Sequence, residues 1–255
     1  MGSVVFGCVD IGNSDDLSKT FFNTLDSSDL VVVENQYTWD AFCLRNNINY
    51  TKKVISINLP GLRGKFLNEL PDETQGMFYE NRLTVLDEVS TFYKENKNIL
   101  ILSDEGSSIV ADSGELVRNY CLKNDIPFKV MSGPSAVINS VSMSNIVGPT
   151  SPFIFYGPMF SLEYLDDFLG RINNAPYNFL SVALLNPITA KQVVSSIIDM
   201  FGDLDGSLCV DLTMNTEKVI GKTLSDVLNY LTIMGDDYHL TRERISLVFR
   251  KSDNR

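Results

Sequence analysis

The side chains able to do chemistry in this chain are mostly acids and alcohols, and they gather in four short segments, each directly after an apolar, β-rich run. Asp10-Ile-Gly-Asn13 follows Val4–Val9, and Glu34-Asn-Gln-Tyr37 follows Leu30–Val33. The long segment Ser103–Gly114 follows Asn98–Leu102, and Ser132-Gly-Pro-Ser-Ala136 follows Pro127–Met131. His239 is the only histidine, and Cys8, Cys43, Cys121 and Cys209 make no CxxC, so imidazole bases, disulfide frameworks and zinc sites have little to draw on. Neither GxGxxG nor GxxxxGK[ST] is present, which argues against the common dinucleotide and nucleoside-triphosphate loops. The chemistry left is that of carboxylates, hydroxyls, backbone groups or an organic cofactor that carries its own reactivity.

In open parallel sheets, ligands lie beyond the carboxyl ends of the strands, so these four segments are where a ligand is expected. Asp104 stands at a strand end, well placed to bind. Asp112, with Glu115 three residues later, has the spacing of a helix capping box. Pro134 behind Gly133 reads as a first helical residue, and Glu34 reads either as a binding group or as an acid favouring the next helix amino terminus. Tyr37 and Tyr156 are each open to stacking on a base or to burial. Phe21, Trp39, Phe42 and Cys121 read as core.

The elements that must position these groups alternate. Apolar strand runs at Val4–Val9, Leu30–Val33, Lys53–Asn58, Asn98–Ser103 and Pro127–Met131 are separated by helical periods around Leu17–Leu25, Trp39–Arg45, Leu83–Tyr93 and Leu116–Leu122. That pattern predicts a mostly parallel sheet covered on both faces. Residues Pro60–Gln75 read as a long loop that could serve as a lid. A second α/β series runs through strands near Pro152–Tyr156, Phe179–Leu185, Ser207–Leu212 and Arg244–Phe249, with helices near Ser161–Ile172, Ile188–Met200 and Leu224–Leu231. The break at Val147-Gly-Pro-Thr-Ser-Pro152 sets the expected domains at 1–148 and 149–255.

Composition narrows the partners. The chain has 255 residues, 44% of them apolar, and a formal charge of −11, so any affinity for a nucleic acid must be local. No apolar run reaches the roughly 18 residues of a membrane span, and the amino terminus carries no signal-like core, so the expectation is a cytoplasmic protein with no membrane partner. From His239 onward, Arg242, Arg244, Arg250, Lys251 and Arg255 face Glu243 and Asp253, which reads as a solvated tail or an RNA-facing strip.

Taken in order, the four segments resemble those of the tetrapyrrole methylase superfamily of S-adenosylmethionine-dependent methyltransferases. Within it they are most similar to the branch that methylates a cytidine 2′-hydroxyl in small-subunit ribosomal RNA. That branch reads T-P-I-G-N-L-x-D-I-T, E-D-T-R, S-D-A-G-T-P-x-I-S-D-P-G and P-G-P-S-A, against Val9–Ser18, Glu34–Tyr37, Ser103–Gly114 and Ser132–Ala136 here. The resemblance implies a bilobal α/β methyltransferase. Its amino-terminal lobe would hold a mostly parallel Rossmann-like sheet and its smaller carboxyl-terminal lobe a mixed sheet, with S-adenosylmethionine folded into a cleft between them. It also implies a homodimer, no metal, and RNA or the small ribosomal subunit as substrate. By position, Ile11, Asp104, Ser107, Ile109, Ser135, Ala136, Leu185 and Met214 would face the cofactor. A hydroxyl acceptor needs a base, for which Glu34 is the first candidate and Glu105 the second.

The departures from the branch fall on cations. Asn35, Gln36 and Tyr37 stand for the D-T-R of E-D-T-R, Leu185-Asn-Pro-Ile-Thr189 stands for E-S-P-x-R, and Met214 stands for the lysine of L-T-K-x-x-E. Cations contact phosphates, so their loss bears on substrate more than on cofactor. Two other readings stay open: methylation of a tetrapyrrole or another small molecule, and a divergent paralogue that binds cofactor without turnover.

Overall fold

Five apolar runs form β1 (Ser3–Phe6), β2 (Leu30–Val33), β3 (Lys53–Ser56), β4 (Asn98–Leu102) and β5 (Phe128–Val130), all parallel, in the order β3-β2-β4-β1-β5. The computed structural model describes residues 2–60, 70–235 and 245–251, and the chain separates into two compact units, 1–134 and 135–255. Side chains alternate across the first sheet with a period of two. Val4, Phe6, Leu30, Val32, Ile99 and Ile101 join one apolar layer, whereas Val31, Val33, Leu100 and Leu102 join the other. The first layer is closed by Val85, Val89, Val117 and Cys121 of α3 (Asp72–Lys94) and α4 (Glu115–Lys123). The second is closed by Phe21, Leu25, Trp39 and Phe42 of α1 (Lys19–Ser27) and α2 (Gln36–Arg45). The expected parallel sheet covered on both faces is what the first unit forms.

The second unit begins with α5 (Ala136–Met143) and continues as β6 (Phe153–Met159), α6 (Leu165–Asn174), β7 (Leu180–Leu185), α7 (Pro187–Phe201), β8 (Asp205–Val210), β9 (Lys218–Ile220), α8 (Leu224–Met234) and β10 (Ile245–Arg250). Its sheet, ordered β6-β7-β10-β8-β9, is mixed: β6 and β7 are parallel and the other pairs antiparallel. One face presents Ala183, Leu185, Leu208, Val210, Leu247 and Phe249 to apolar residues of α6, α7 and α8. The other presents Val182, Ser207, Cys209 and Ser246, all buried. Helix α5 covers part of it: the Ser140 and Ser246 hydroxyls share a short hydrogen bond, and Asn145 N, just beyond the helix, donates to Ser207 Oγ at 2.9 Å. That packing assigns α5 to the second unit, ahead of the glycine- and proline-rich stretch before β6.

Several local expectations change. Helix α3 starts at Asp72, behind Pro71 and with two acids in its first turn, so only part of the expected loop remains, and residues 61–69 lie outside the described chain. Strand β9 is too short to show a period in sequence. The capping box at Asp112 does not form: Gly114 is the N-cap of α4 and no side chain caps it, while Glu115 N donates to the Asp112 carbonyl at 3.2 Å. Pro134 precedes α5 instead of opening it, because Ser135 takes the N-cap position, its Oγ accepting from Ile138 N at 3.4 Å.

The basic carboxyl-terminal stretch also changes meaning where it is described. Arg250 and Lys251 are each only 8% exposed. Arg250 Nη1 donates to the Val147 carbonyl at 2.8 Å and Nη2 to that of Pro149, closing the stretch before β6 onto β10. Gly148 there has φ +117°, and a Cβ on it would lie 2.9 Å from Arg250 Nη1. Lys251 Nζ donates to the carbonyls of Ile172 (3.2 Å) and Asn173 (2.7 Å) at the end of α6, above the Tyr177 ring. These two cations, themselves buried, therefore bind backbone carbonyls and serve neither a solvated tail nor an RNA-facing strip. The remaining charged residues of that stretch, and His239, lie outside the described residues.

Arg250→Met should keep the aliphatic packing and leave the Val147 and Pro149 carbonyls without donors. Urea unfolding should then show a loss of about 1–3 kcal/mol, and an unchanged midpoint would refute the role given to this arginine.

Candidate active site

Strand pairing decides which loops meet. Phe6 pairs with Ile101 and Val33 with Leu102, so the segments after β1, β2 and β4 emerge side by side. They are then tied together. Val9 N donates to the Gly106 carbonyl at 3.0 Å, Cys8 and Ser107 form an isolated bridge, and Cys8 Sγ donates to the Pro134 carbonyl at 3.1 Å. Gly133 is required by this closeness, since a Cβ there would sit 2.6 Å from the Cys8 side chain. Gly106 has φ +67°, a conformation L side chains rarely adopt, with Ile11 Cγ2 3.4 Å from where its Cβ would be.

Asp10 holds the first loop. Its side chain is 1% exposed, its Oδ1 accepts from Gly12 N at 3.0 Å, and Arg45 Nη2, on the last turn of α2, reaches both its oxygens at 2.9 and 2.8 Å. Burial makes the pair matter, because removing Arg45 would leave a carboxylate out of water with one donor. Ile11, carried by this loop, is 6% exposed.

The acids form a second set. Asp104 N donates to Glu34 Oε2 at 3.2 Å, and Asp104 Oδ2 accepts from Asn35 Nδ2 at 2.9 Å. Asp112 comes back from further along the same loop to hydrogen-bond Glu34 side chain to side chain, and its Oδ1 is buried with no partner. Loss of water, then the negative charge of Glu34, push the Asp112 carboxyl up to about 8, against an opposing hydrogen bond from the Ser113 backbone. At neutral pH Asp112 is thus a protonated acid that donates to the Glu34 carboxylate, and one proton is held between the two. Asn35 is favourable in this setting, since it donates an amide hydrogen to Asp104 where an aspartate would add another negative charge.

The other residues singled out in sequence fall in different surroundings. Glu105 and Ser107 lie on the same loop as Asp104, partly buried, and Ser103 Oγ donates to the carbonyls of Glu105 and Gly106, both at 3.1 Å. Ile109 packs against the apolar layer under α3 and α4. In the second unit, Ser135 caps α5 and Ala136 opens it. Leu185 ends β7 with its side chain in the core, 3% exposed. Met214 lies in the turn between β8 and β9, where Thr213 has φ +70° and a buried hydroxyl without a partner. Tyr156 is core, 9% exposed, whereas Tyr37 is 75% exposed. Burial pushes the Cys8 and Cys121 thiols up to about 11, which leaves both protonated and unreactive at neutral pH. Sequence reasoning missed Asp112 as part of the acid set, because its spacing to Glu115 imitated a cap. It also missed the Asp10–Arg45 pair, whose members are far apart in the chain.

This donor set suits one kind of ligand. Among the described residues it offers carboxylates, backbone groups and the apolar Ile11, and Arg45 is committed to Asp10. Carboxylates and backbone groups of this kind match the hydroxyl and amino groups of a ligand. Among the described residues, no group of three or more His, Cys, Asp or Glu side chains is arranged to hold a metal ion, and no helix is long and apolar enough to cross a membrane.

No family model matches the chain. It is 27% identical to "Ribosomal RNA small subunit methyltransferase I" of Thermotoga maritima over 90% of this chain and 92% of that protein. It is 24% identical to the protein of the same name from Mesomycoplasma conjunctivae over 87% of this chain and 83% of that one. Among solved structures, the methyltransferase CobJ superposes with a TM-score of 0.62 at 11% identity, covering 100% of this chain and 96% of that one. Uroporphyrin-III-C-methyltransferase from Thermus thermophilus superposes with a TM-score of 0.54 at 14% identity, covering 98% of this chain and 92% of that one. The shared fold is the two-unit α/β fold of the tetrapyrrole methylases.

The raised Asp112 group ties stability to pH. Its folded value lies above its unfolded one, so its favourable contribution is complete below about pH 4 and is lost as the pH rises through about 8. Asp112→Asn should therefore match the parent near pH 4 and become the more stable protein at pH 9, by about 1 kcal/mol or more. Thermal melts at the two pH values decide this, and a constant difference would contradict it.

Proposed function

We propose that the chain is an S-adenosylmethionine-dependent methyltransferase that transfers the methyl group to a ribose 2′-hydroxyl of small-subunit ribosomal RNA. The observation that carries this reading is the likeness, over 87–90% of the chain, to proteins named for small-subunit ribosomal RNA methylation. The acid set at the strand tips supports a hydroxyl as the acceptor, since an alcohol must lose its proton to become a useful nucleophile.

S-adenosylmethionine, when bound, supplies an activated methyl group on a cationic sulfur, so the protein's task is to orient, exclude water and take up a proton. Ile11 offers apolar surface, the Asp104 carboxylate suits hydroxyl or ammonium groups, and the backbone from Ser103 to Ser107 offers polar atoms held in place by the Gly106–Val9 bond. Glu34 is the proton acceptor. Asp104 N and the protonated Asp112 fix its orientation, and the proton already shared with Asp112 lets the pair take up or release charge in a dry setting. Glu105 is the alternative base, carried on the same loop.

Incubation with methyl-labelled S-adenosylmethionine and unmodified small ribosomal subunits, total RNA, or a porphyrinoid extract should put label into small-subunit RNA, in a dinucleotide that resists alkaline cleavage. Label only in the porphyrinoid pool would select the tetrapyrrole reading. S-adenosylhomocysteine binding with no label anywhere would select a non-catalytic paralogue. Glu34→Gln should lower turnover by about 10²–10⁴-fold while S-adenosylhomocysteine affinity stays within about threefold, and the parent's rate should rise with pH towards about 8, the value of the Asp112 carboxyl. Unchanged turnover in Glu34→Gln would move the role to Glu105.

A further inference from the structure

We infer that the cavity between the start of α2 and the residues that follow β3 binds one neutral nucleobase of the acceptor strand, with Tyr37 as its stacking face; this rests on the RNA reading above. The cavity has a volume of about 220 Å³ and is bounded by Asn35–Thr38 on one side and Ser56–Pro60 on the other. Among the described residues, its lining holds no lysine, arginine, histidine, aspartate or glutamate. Asn35, Gln36 and Asn58 supply amides, Thr38 and Ser56 supply hydroxyls, and Tyr37 supplies a ring that is 75% exposed.

That lining suits a base. The edges of a base present hydrogen-bond donors and acceptors without charge, and its faces stack on aromatic rings, whereas phosphates and carboxylates call for cations. A tetrapyrrole is both polycarboxylate and larger than a pocket below the roughly 300–1,000 Å³ that drug-sized ligands occupy. The Thr38 hydroxyl oxygen is buried without a partner, an unmet polar atom on the cavity wall.

The walls are held from behind. Asn81 Nδ2 donates to the carbonyls of Ser56 (3.1 Å) and Ile57 (2.8 Å), and Asn58 N donates to the Glu34 carbonyl at 2.9 Å. On the other wall, Asn35 is bonded to Asp104. The cavity is thus fixed to the same two acids that the proposed reaction uses. Tyr37 stands where the resembling branch has the arginine of E-D-T-R, so this position would exchange a phosphate contact for a base contact.

Fluorescence anisotropy with a fluorescein-labelled single-stranded RNA nonamer, and with an abasic backbone of the same length, tests the site, both with S-adenosylhomocysteine present. The base-bearing strand should bind about tenfold tighter than the abasic one. Tyr37→Ala, an exposed and foldable change, should remove about that tenfold, and Tyr37→Phe should stay within about twofold. Asn58→Leu should weaken the base-bearing strand and leave the abasic one alone. Equal affinity for the two strands, parental RNA binding by Tyr37→Ala, or no binding of either strand would each overturn the inference. Calorimetry with S-adenosylhomocysteine is read separately: its failure removes the cofactor reading, whereas base discrimination still decides the cavity.

Discussion

The pairing of β4 with both β1 and β2 is the constraint on which the first unit's chemistry depends. Ile99 to Leu102 are apolar and fully or almost fully buried, so this strand belongs at the centre of the sheet, inserted between two strands that are consecutive in the chain. Its insertion brings three carboxyl-terminal tips together. Glu34 and Asp104 then meet through the Asp104 amide and the Asn35 side chain, although a long stretch of chain separates them.

Acids so gathered need management, and the chain supplies it in two ways. Asp10 is neutralised by Arg45 and a backbone amide, and so becomes a structural anchor for the loop that carries Ile11. In the pair Glu34–Asp112 the second carboxyl is pushed up by burial and by the charge of the first, and keeps its proton. The contrast follows from the surroundings of each acid: a buried carboxyl beside an opposite charge ionises, and one beside a like charge holds its proton. One arrangement provides rigidity, the other a group able to exchange a proton near neutral pH.

The basic positions of the resembling branch that differ here and the cations buried at the carboxyl end both bear on charge. Tyr37 and Met214 occupy positions that are basic in the resembling branch, and Arg250 and Lys251 are spent on backbone carbonyls. With a formal charge of −11, the protein has little with which to grip a phosphate backbone over a broad face. Recognition by stacking and neutral hydrogen bonds is the alternative that the amide-lined cavity beside Tyr37 offers.

The amino-acid sequence alone determined the alternation of strands and helices, the parallel first sheet, the core roles of Phe21, Trp39, Phe42 and Cys121, and the strand-tip placement of Glu34 and Asp104, because apolar periodicity is local and survives reading one residue at a time. It did not reveal the proton held between Glu34 and Asp112, the Asp10–Arg45 pair, the carbonyl-binding roles of Arg250 and Lys251, or the burial of Tyr156 beside the exposure of Tyr37. Those depend on which distant residues become neighbours once the sheets close, and on how much water that closure removes, neither of which is written in local spacing.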